Sequence, residues 1–104
     1  MKYFCVVSHT HWDREWYMPL ERFKLKLVDL LATLEKYPAY IFHLDAQTVV
    51  LEDYLEYRPS RRETLRRYIT EGRLVVGPWY LQNDFYLTSG ESTIRNLLEG
   101  RRIA

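Results

Sequence analysis

Three short apolar runs, separated by segments of helical period, constrain the fold of this 104-residue chain more than any other feature. The runs are Tyr3 to Ser8, Tyr40 to Leu44 and Leu74 to Val76. Each has the length of a strand, and a nearly all-apolar strand suits a sheet covered on both faces. After the first run, Leu20, Phe23, Leu27, Leu30, Leu31 and Leu34 recur at helical spacing and predict a helix through Tyr37, with Pro19 where it begins and Pro38 where it has ended. Val49 to Tyr57 reads as a second helix, stopped by Pro59. Ser60-Arg61-Arg62-Glu63 has capping-box spacing ahead of a third, running to Glu71 with Gly72 as its C-terminal cap. Thr88-Ser89-Gly90-Glu91 has the same spacing ahead of a fourth, from Glu91 to Leu98. Strand, helix, strand, two helices, strand, helix is the order of an α/β fold, with parallel strands joined by helical crossovers in a single domain over residues 1–104.

Composition excludes some partners. Fifteen Lys and Arg against fourteen Asp and Glu leave a formal charge of +1, so no general attraction to nucleic acid or to an anionic membrane is expected. Arg58, Arg61, Arg62, Arg66 and Arg67 cluster locally, but at helical spacing they read as a solvated outer face. Cys5 is the single cysteine, placed in a strand expected to be buried, so no disulfide forms within the chain and a reducing compartment is implied. The amino terminus lacks the regions of a signal peptide and no apolar run is long enough to cross a bilayer. A soluble, cytoplasmic protein is the expectation.

Parallel α/β folds build their sites from loops beyond the carboxyl ends of strands. His11 and Asp13 follow the first run, Asp45 the second and Asp84 the third, so all three strand ends deliver acidic or imidazole groups to one rim. In extended backbone His9, His11 and Asp13 project to the same side. Imidazole nitrogen with carboxylate oxygen suits zinc (Zn), although a histidine pair at a strand end also serves to cap backbone groups. Trp79-Tyr80-Leu81-Gln82-Asn83-Asp84 combines aromatic rings, amides and a carboxylate, the groups that cover the C–H face of a sugar and bind its hydroxyls. Trp16 lies in a polar loop and favours substrate contact, whereas Trp12 and Trp79 suit either substrate or core. Asp45 suits substrate binding, the orienting of a metal ligand or a loop cap, and His43, within an apolar run, suits the core.

His11-Trp12-Asp13-Arg14-Glu15-Trp16, Phe42-His43-Leu44-Asp45-Ala46-Gln47-Thr48, Gly77-Pro78-Trp79-Tyr80, Asp84 and Ser89-Gly90-Glu91-Ser92 occur in the order in which family 38 α-mannosidases carry similar motifs. The chain resembles the amino-terminal part of that family's catalytic domain, the bacterial members most, over essentially its whole length. The resemblance implies a partial (β/α) barrel-like domain and retaining hydrolysis of α-mannosides at a zinc ion that also grips sugar hydroxyls. His11, Asp13 and Asp84 match zinc ligands of the family. Asp84 also matches its nucleophile, and Trp16 a tryptophan lining the sugar pocket; Asp45 and Trp79 are expected beside it as substrate-binding residues. His9 matches no ligand and is expected behind the site. The family's remaining zinc ligand, a histidine, and its general acid, an aspartate, match no position of this sequence. Family members run to many hundreds of residues, so a fragment without turnover of its own is expected, one that self-associates through an unpaired strand edge and uncovered helix faces. Asn83-Asp84-Phe85 departs from relatives that carry proline before the aspartate or an acid after it, which bears on loop shape.

Two other readings fit the residues without the resemblance. His and Asp at the strand ends of parallel barrels also serve deacetylases and phosphoesterases, in which metal-bound water attacks. A non-catalytic module that binds sugar or a partner protein through its aromatic rim requires no metal.

Overall fold

The computed structural model describes residues 1–11, 13–14 and 16–104 of the chain. Four α-helices and two short strands follow one another as α1 (Leu20–Lys36), β1 (Phe42–His43), α2 (Val49–Tyr57), α3 (Arg62–Thr70), β2 (Leu74–Val75) and α4 (Gly90–Ile103), with a 3₁₀ turn over Pro59–Arg61 leading into α3. β1 and β2 pair in parallel, Phe42 opposite Leu74 and His43 opposite Val75. Phe42 N–H donates to Arg73 O and Leu44 N–H to Val75 O, both at 2.9 Å. Beyond the strands the same pairing resumes as a single parallel bridge between Gln47 and Trp79.

The other edge of β1 faces the amino-terminal segment. His43 N–H donates to Ser8 O at 2.9 Å, Thr10 N–H donates to His43 O at 3.4 Å, and His9 forms one parallel bridge with His43. All three strand-like segments therefore run the same way, with β1 between the other two. The buried first strand expected from Tyr3 to Ser8 does not form: Met1 to Val7 are exposed, Cys5 among them. A run of β-forming residues becomes a strand only where neighbours accept its ladder and cover its faces, and here only Ser8 to Thr10 find β1. β1 likewise shrinks to two residues of the expected five, and His43 is half-buried rather than a core residue.

The helices follow the periodicity closely. α1 buries Phe23, Leu27, Leu31 and Leu34 on one stripe, against α2, which buries Val49, Val50, Leu51 and Tyr54. Lys24 sits in the α1 stripe because Glu56 and Glu21 take its ammonium at 2.7 and 3.6 Å and the Tyr57 ring lies 5.3 Å below it. The core is completed by Leu44, Leu65, Tyr68 and Leu74. Arg58, Arg62, Arg66 and Arg67 face solvent, and Arg61 pairs with Glu35.

Caps depart from expectation in detail. Ser60 does not cap α3: the 3₁₀ turn occupies its place, the N-cap residue is Arg61, and no side chain bonds the first turn. At α4 the cap is Ser89, one residue beyond Thr88, and its Oγ accepts from Ser92 N–H at 3.2 Å. Gly72, at φ +70°, closes α3 as expected, with Gly72 N–H donating to Ile69 O and Arg73 N–H to Tyr68 O.

Candidate metal and sugar site

The loop that leaves the amino-terminal segment and the turn that leaves β1 meet at His11. Asp45 and Ala46 both adopt positive φ, 46° and 60°, in a tight turn immediately beyond β1. Left-handed backbone is tolerable for Asp and unfavourable for Ala, so surrounding contacts must hold it. Those contacts are Ala46 O, which accepts from Trp79 N–H at 3.0 Å, and Leu44 O, which accepts from Gln47 N–H at 3.1 Å. The turn aims the Asp45 carboxylate back at the first loop, where its Oδ2 stands 2.8 Å from His11 Nδ1.

His11 has an acid on each ring nitrogen. Its Nε2 faces Asp13 Oδ1 at 3.3 Å. The Asp45 hydrogen bond, chiefly, holds the imidazole pKa above its ordinary 6.5; partial burial opposes this and the Asp13 and Asp45 charges add to it. The same arrangement suits a metal. Two donors about 2.0–2.1 Å from a tetrahedral zinc lie about 3.3 Å apart, and a ligating histidine ordinarily gives its other N–H to a carboxylate. Asp45, on Nδ1 of His11, occupies the position such a carboxylate would take.

Asp84 is not brought to this pair. It is exposed at the head of the third loop, where its Oδ1 accepts from Tyr86 N–H at 2.9 Å and its carbonyl from the N–H groups of Leu87 and Thr88. Among the described residues no three His, Cys, Asp or Glu side chains form a group that could hold a metal ion. The third loop is instead fastened to α4. Asn96 bonds both backbone groups of Leu81, at 2.8 Å to its N–H and 2.5 Å to its carbonyl, and its Nδ2 also reaches Asn83 Oδ1 at 3.2 Å. Asn83 in turn donates to Thr88 and Thr93.

Asp84 lies instead in an open cleft of about 450 Å³ with Trp79, Gln82, Asn83, Phe85 and Tyr86. Small-ligand clefts fall in the range of about 300–1,000 Å³, with mostly aromatic walls and a few polar groups. Trp79 is partly buried there and meets Phe85 edge to face, with ring centroids 5.4 Å apart. Trp16 is exposed beside Tyr17. His9 is exposed and engages β1 through its backbone. Trp12 lies outside the described residues.

Several residues that shape the site were not singled out from the sequence. Arg14 makes a two-pronged ion pair with Asp53 of α2, Tyr80 donates to Glu52 at 3.0 Å, and Asn96 holds the third loop. Burial and, second, the bond to Glu52 push the Tyr80 phenol pKa up. One signal was available: Asp53 falls at helical spacing among Val49, Val50 and Tyr54, and an acid on an apolar face implies a cationic partner.

Two parallel strands connected through helices define an α/β fold. The particular class follows from comparison. Residues 2–104 match the N-terminal domain of the glycosyl hydrolases of family 38, and the chain belongs to that family. It is 50% identical over 100 residues to a putative mannosylglycerate hydrolase of Halalkalibacterium halodurans, covering 91% of this chain and 11% of that protein. The crystal structure of an alpha-mannosidase from Enterococcus faecalis V583 superimposes with a TM-score of 0.80 at 42% identity, covering 90% of this chain and 11% of that one. A second family 38 structure from Enterococcus faecalis gives a TM-score of 0.75 at 38% identity, over 92% of this chain and 12% of its own. The chain thus spans about one ninth of the length of the relatives it matches. Among the described residues no helix is long and apolar enough to cross a membrane.

Proposed function

We propose that this chain supplies the amino-terminal sector of a zinc-dependent retaining α-mannosidase, its parallel strands forming one side of a barrel-like catalytic domain. The observation that carries the proposal is the His11 imidazole, held at Nδ1 by Asp45 with Nε2 turned to Asp13 at 3.3 Å, which matches the spacing of two donors on one tetrahedral zinc. His11 and Asp13 are the ligands supported by geometry. Asp84 is the third ligand of this proposal on its match to the family, although here its Oδ1 accepts from Tyr86 N–H instead of joining His11 and Asp13. Bound zinc would supply a Lewis acid for vicinal sugar hydroxyls.

The residues of the chain divide the remaining work. Trp16 and Trp79 cover the apolar face of the sugar, and Gln82 presents its amide to the hydroxyls, while the Asn83 amide holds the loop through Thr88, Thr93 and Asn96. The Asp84 carboxylate attacks the anomeric carbon as the glycosidic oxygen departs with a proton, giving a mannosyl ester; water then cleaves that ester and returns the carboxylate. The proton comes from a second carboxyl about 5 Å away in a retaining enzyme, a role assigned to no residue here, so the 104 residues alone do not turn over. The substrate is an α-mannoside, with mannosylglycerate a candidate from the name of the Halalkalibacterium relative.

Calorimetric titration with zinc tests the reading. One equivalent should bind to the wild-type chain and none to His11→Ala; a wild-type chain that takes up no zinc, or a variant that still does, removes the metal site. A metal-free sugar-binding module gives the opposite pattern, mannoside binding unaffected by His11→Ala.

A further inference from the structure

Among the described residues, a two-pronged, part-buried ion pair joins the first loop to a helix that supplies no ligand. Arg14 donates from Nε to Asp53 Oδ2 at 3.2 Å and from Nη2 to Asp53 Oδ1 at 2.8 Å. Asp53 is 4% exposed and sits among Val49, Val50 and Tyr54 on the inner face of α2. An ion pair with its carboxylate buried is weak evidence for stability, because well-packed apolar residues of similar size often do as well or better. What the pair does provide is direction: a planar guanidinium on a carboxylate fixes both distance and orientation, which a point charge does not.

We infer that Arg14 and Asp53 are positioning residues that hold the first loop in its metal-binding geometry, an inference that rests on the metal reading of His11 and Asp13 given above. Arg14 directly follows Asp13, so anchoring its guanidinium to α2 anchors the backbone from which the Asp13 carboxylate reaches His11 Nε2. The loop has no helix or strand of its own between Thr10 and Pro19 among the described residues, so its shape depends on such tethers. The neighbouring residue of α2, Glu52, accepts from Tyr80 and thereby ties the third loop to the same helical turn. One turn of α2 thus sets the register of the two loops that carry His11, Asp13 and Asp84.

The test compares zinc affinity by calorimetry, and cobalt(II) absorption as a report of ligand geometry, in the 104-residue chain and two variants. Arg14→Lys keeps the charge and loses the fork. The double variant Arg14→Met with Asp53→Leu removes the pair as a unit and leaves no orphaned charge. Losses of outer-shell partners typically weaken metal binding about 10–100-fold, and about tenfold is expected for both variants, with an altered cobalt spectrum. Thermal melting of the double variant should lie at or above that of the wild type. A double variant that melts normally and keeps wild-type zinc affinity shows the pair to be structural only and overturns the inference. Should the double variant not fold, wild-type affinity in Arg14→Lys overturns it instead. A wild-type chain without zinc uptake overturns the metal reading and this inference together, a failure seen before any variant is made.

Discussion

Nδ1 of His11 and Oδ2 of Asp45 stand 2.8 Å apart across 34 residues of chain, joining the loops that leave two neighbouring parallel segments. The contact exists because Asp45 accepts a left-handed backbone immediately after β1 and so turns its carboxylate toward the adjacent loop. It gives His11 a defined orientation, as the proposed metal-ligating role requires.

That contact predicts how His11 titrates. In the metal-free chain its pKa, followed by NMR of the ring protons, should lie above 6.5, and Asp45→Asn should bring it down because the largest raising contact is lost. A folded-state value above the unfolded one means that the imidazolium–carboxylate contribution is complete below the unfolded value and fades as pH rises through the folded one. Zinc must displace that proton, so zinc affinity should climb over the same interval. An unshifted His11 in the wild type, or no change on Asp45→Asn, contradicts the assignment.

Asp84→Asn separates chemistry from folding. An asparagine oxygen still accepts the Tyr86 N–H, so the 104-residue chain should melt as the wild type does. The equivalent change in a full-length relative should abolish mannoside hydrolysis, because an amide is a very poor nucleophile. Near-normal turnover there would remove the nucleophile role.

Gly100 is the point at which α4 meets the third loop. A Cβ there would lie 2.1 Å from Pro78 O and 2.5 Å from the Trp79 carbonyl carbon and the Tyr80 nitrogen, all backbone atoms that cannot swing aside. Gly100→Ala should therefore cost at least the about 1–3 kcal/mol typical of overpacking. It should also loosen the Asn96 clasp on Leu81, seen as faster amide exchange at Leu81. Equal melting temperatures for variant and wild type would refute the close approach.

The exposed amino-terminal segment predicts association. Tyr3, Phe4, Val6 and Val7 carry exposures of 78, 98, 91 and 67%, beside residues already paired to β1. Unpaired β-forming backbone with apolar side chains is a template for another chain. Sedimentation should show concentration-dependent association, reduced by Val6→Lys; a strict monomer at high concentration would count against it.

Helices were the legible part of this chain. The spacing of Phe23, Leu27, Leu31 and Leu34 predicts α1 because helical hydrogen bonds and side-chain rows are local, and Gly72 marks the end of α3 for the same reason. The parallel direction of β1 and β2 was also readable, since strand–helix–strand order leaves few alternatives. Of the side chains expected at one rim from their places after successive strands, His11, Asp13 and Asp45 meet, whereas Asp84 does not join them.

Everything that depended on a distant partner was decided in three dimensions. Whether Tyr3 to Ser8 becomes a strand rests on what covers it, and the apolar run is the same whether covered or bare. Which oxygen orients His11, which acid holds Arg14, and where Asp84 spends its carboxylate are pairings across 34, 39 and 2 residues respectively. For the two long ones the chain holds at most half the signal: Asp53 on an apolar helical face implies a cationic partner, but neither pairing names its partner. The sequence by itself determined the helices and the chemistry available at each strand end, because both are properties of local residues. Only the tertiary structure decided which of those groups meet, because contact between remote side chains is set by how α2, α4 and the loops pack, with the Asn96 clasp and the Arg14–Asp53 pair as its fasteners.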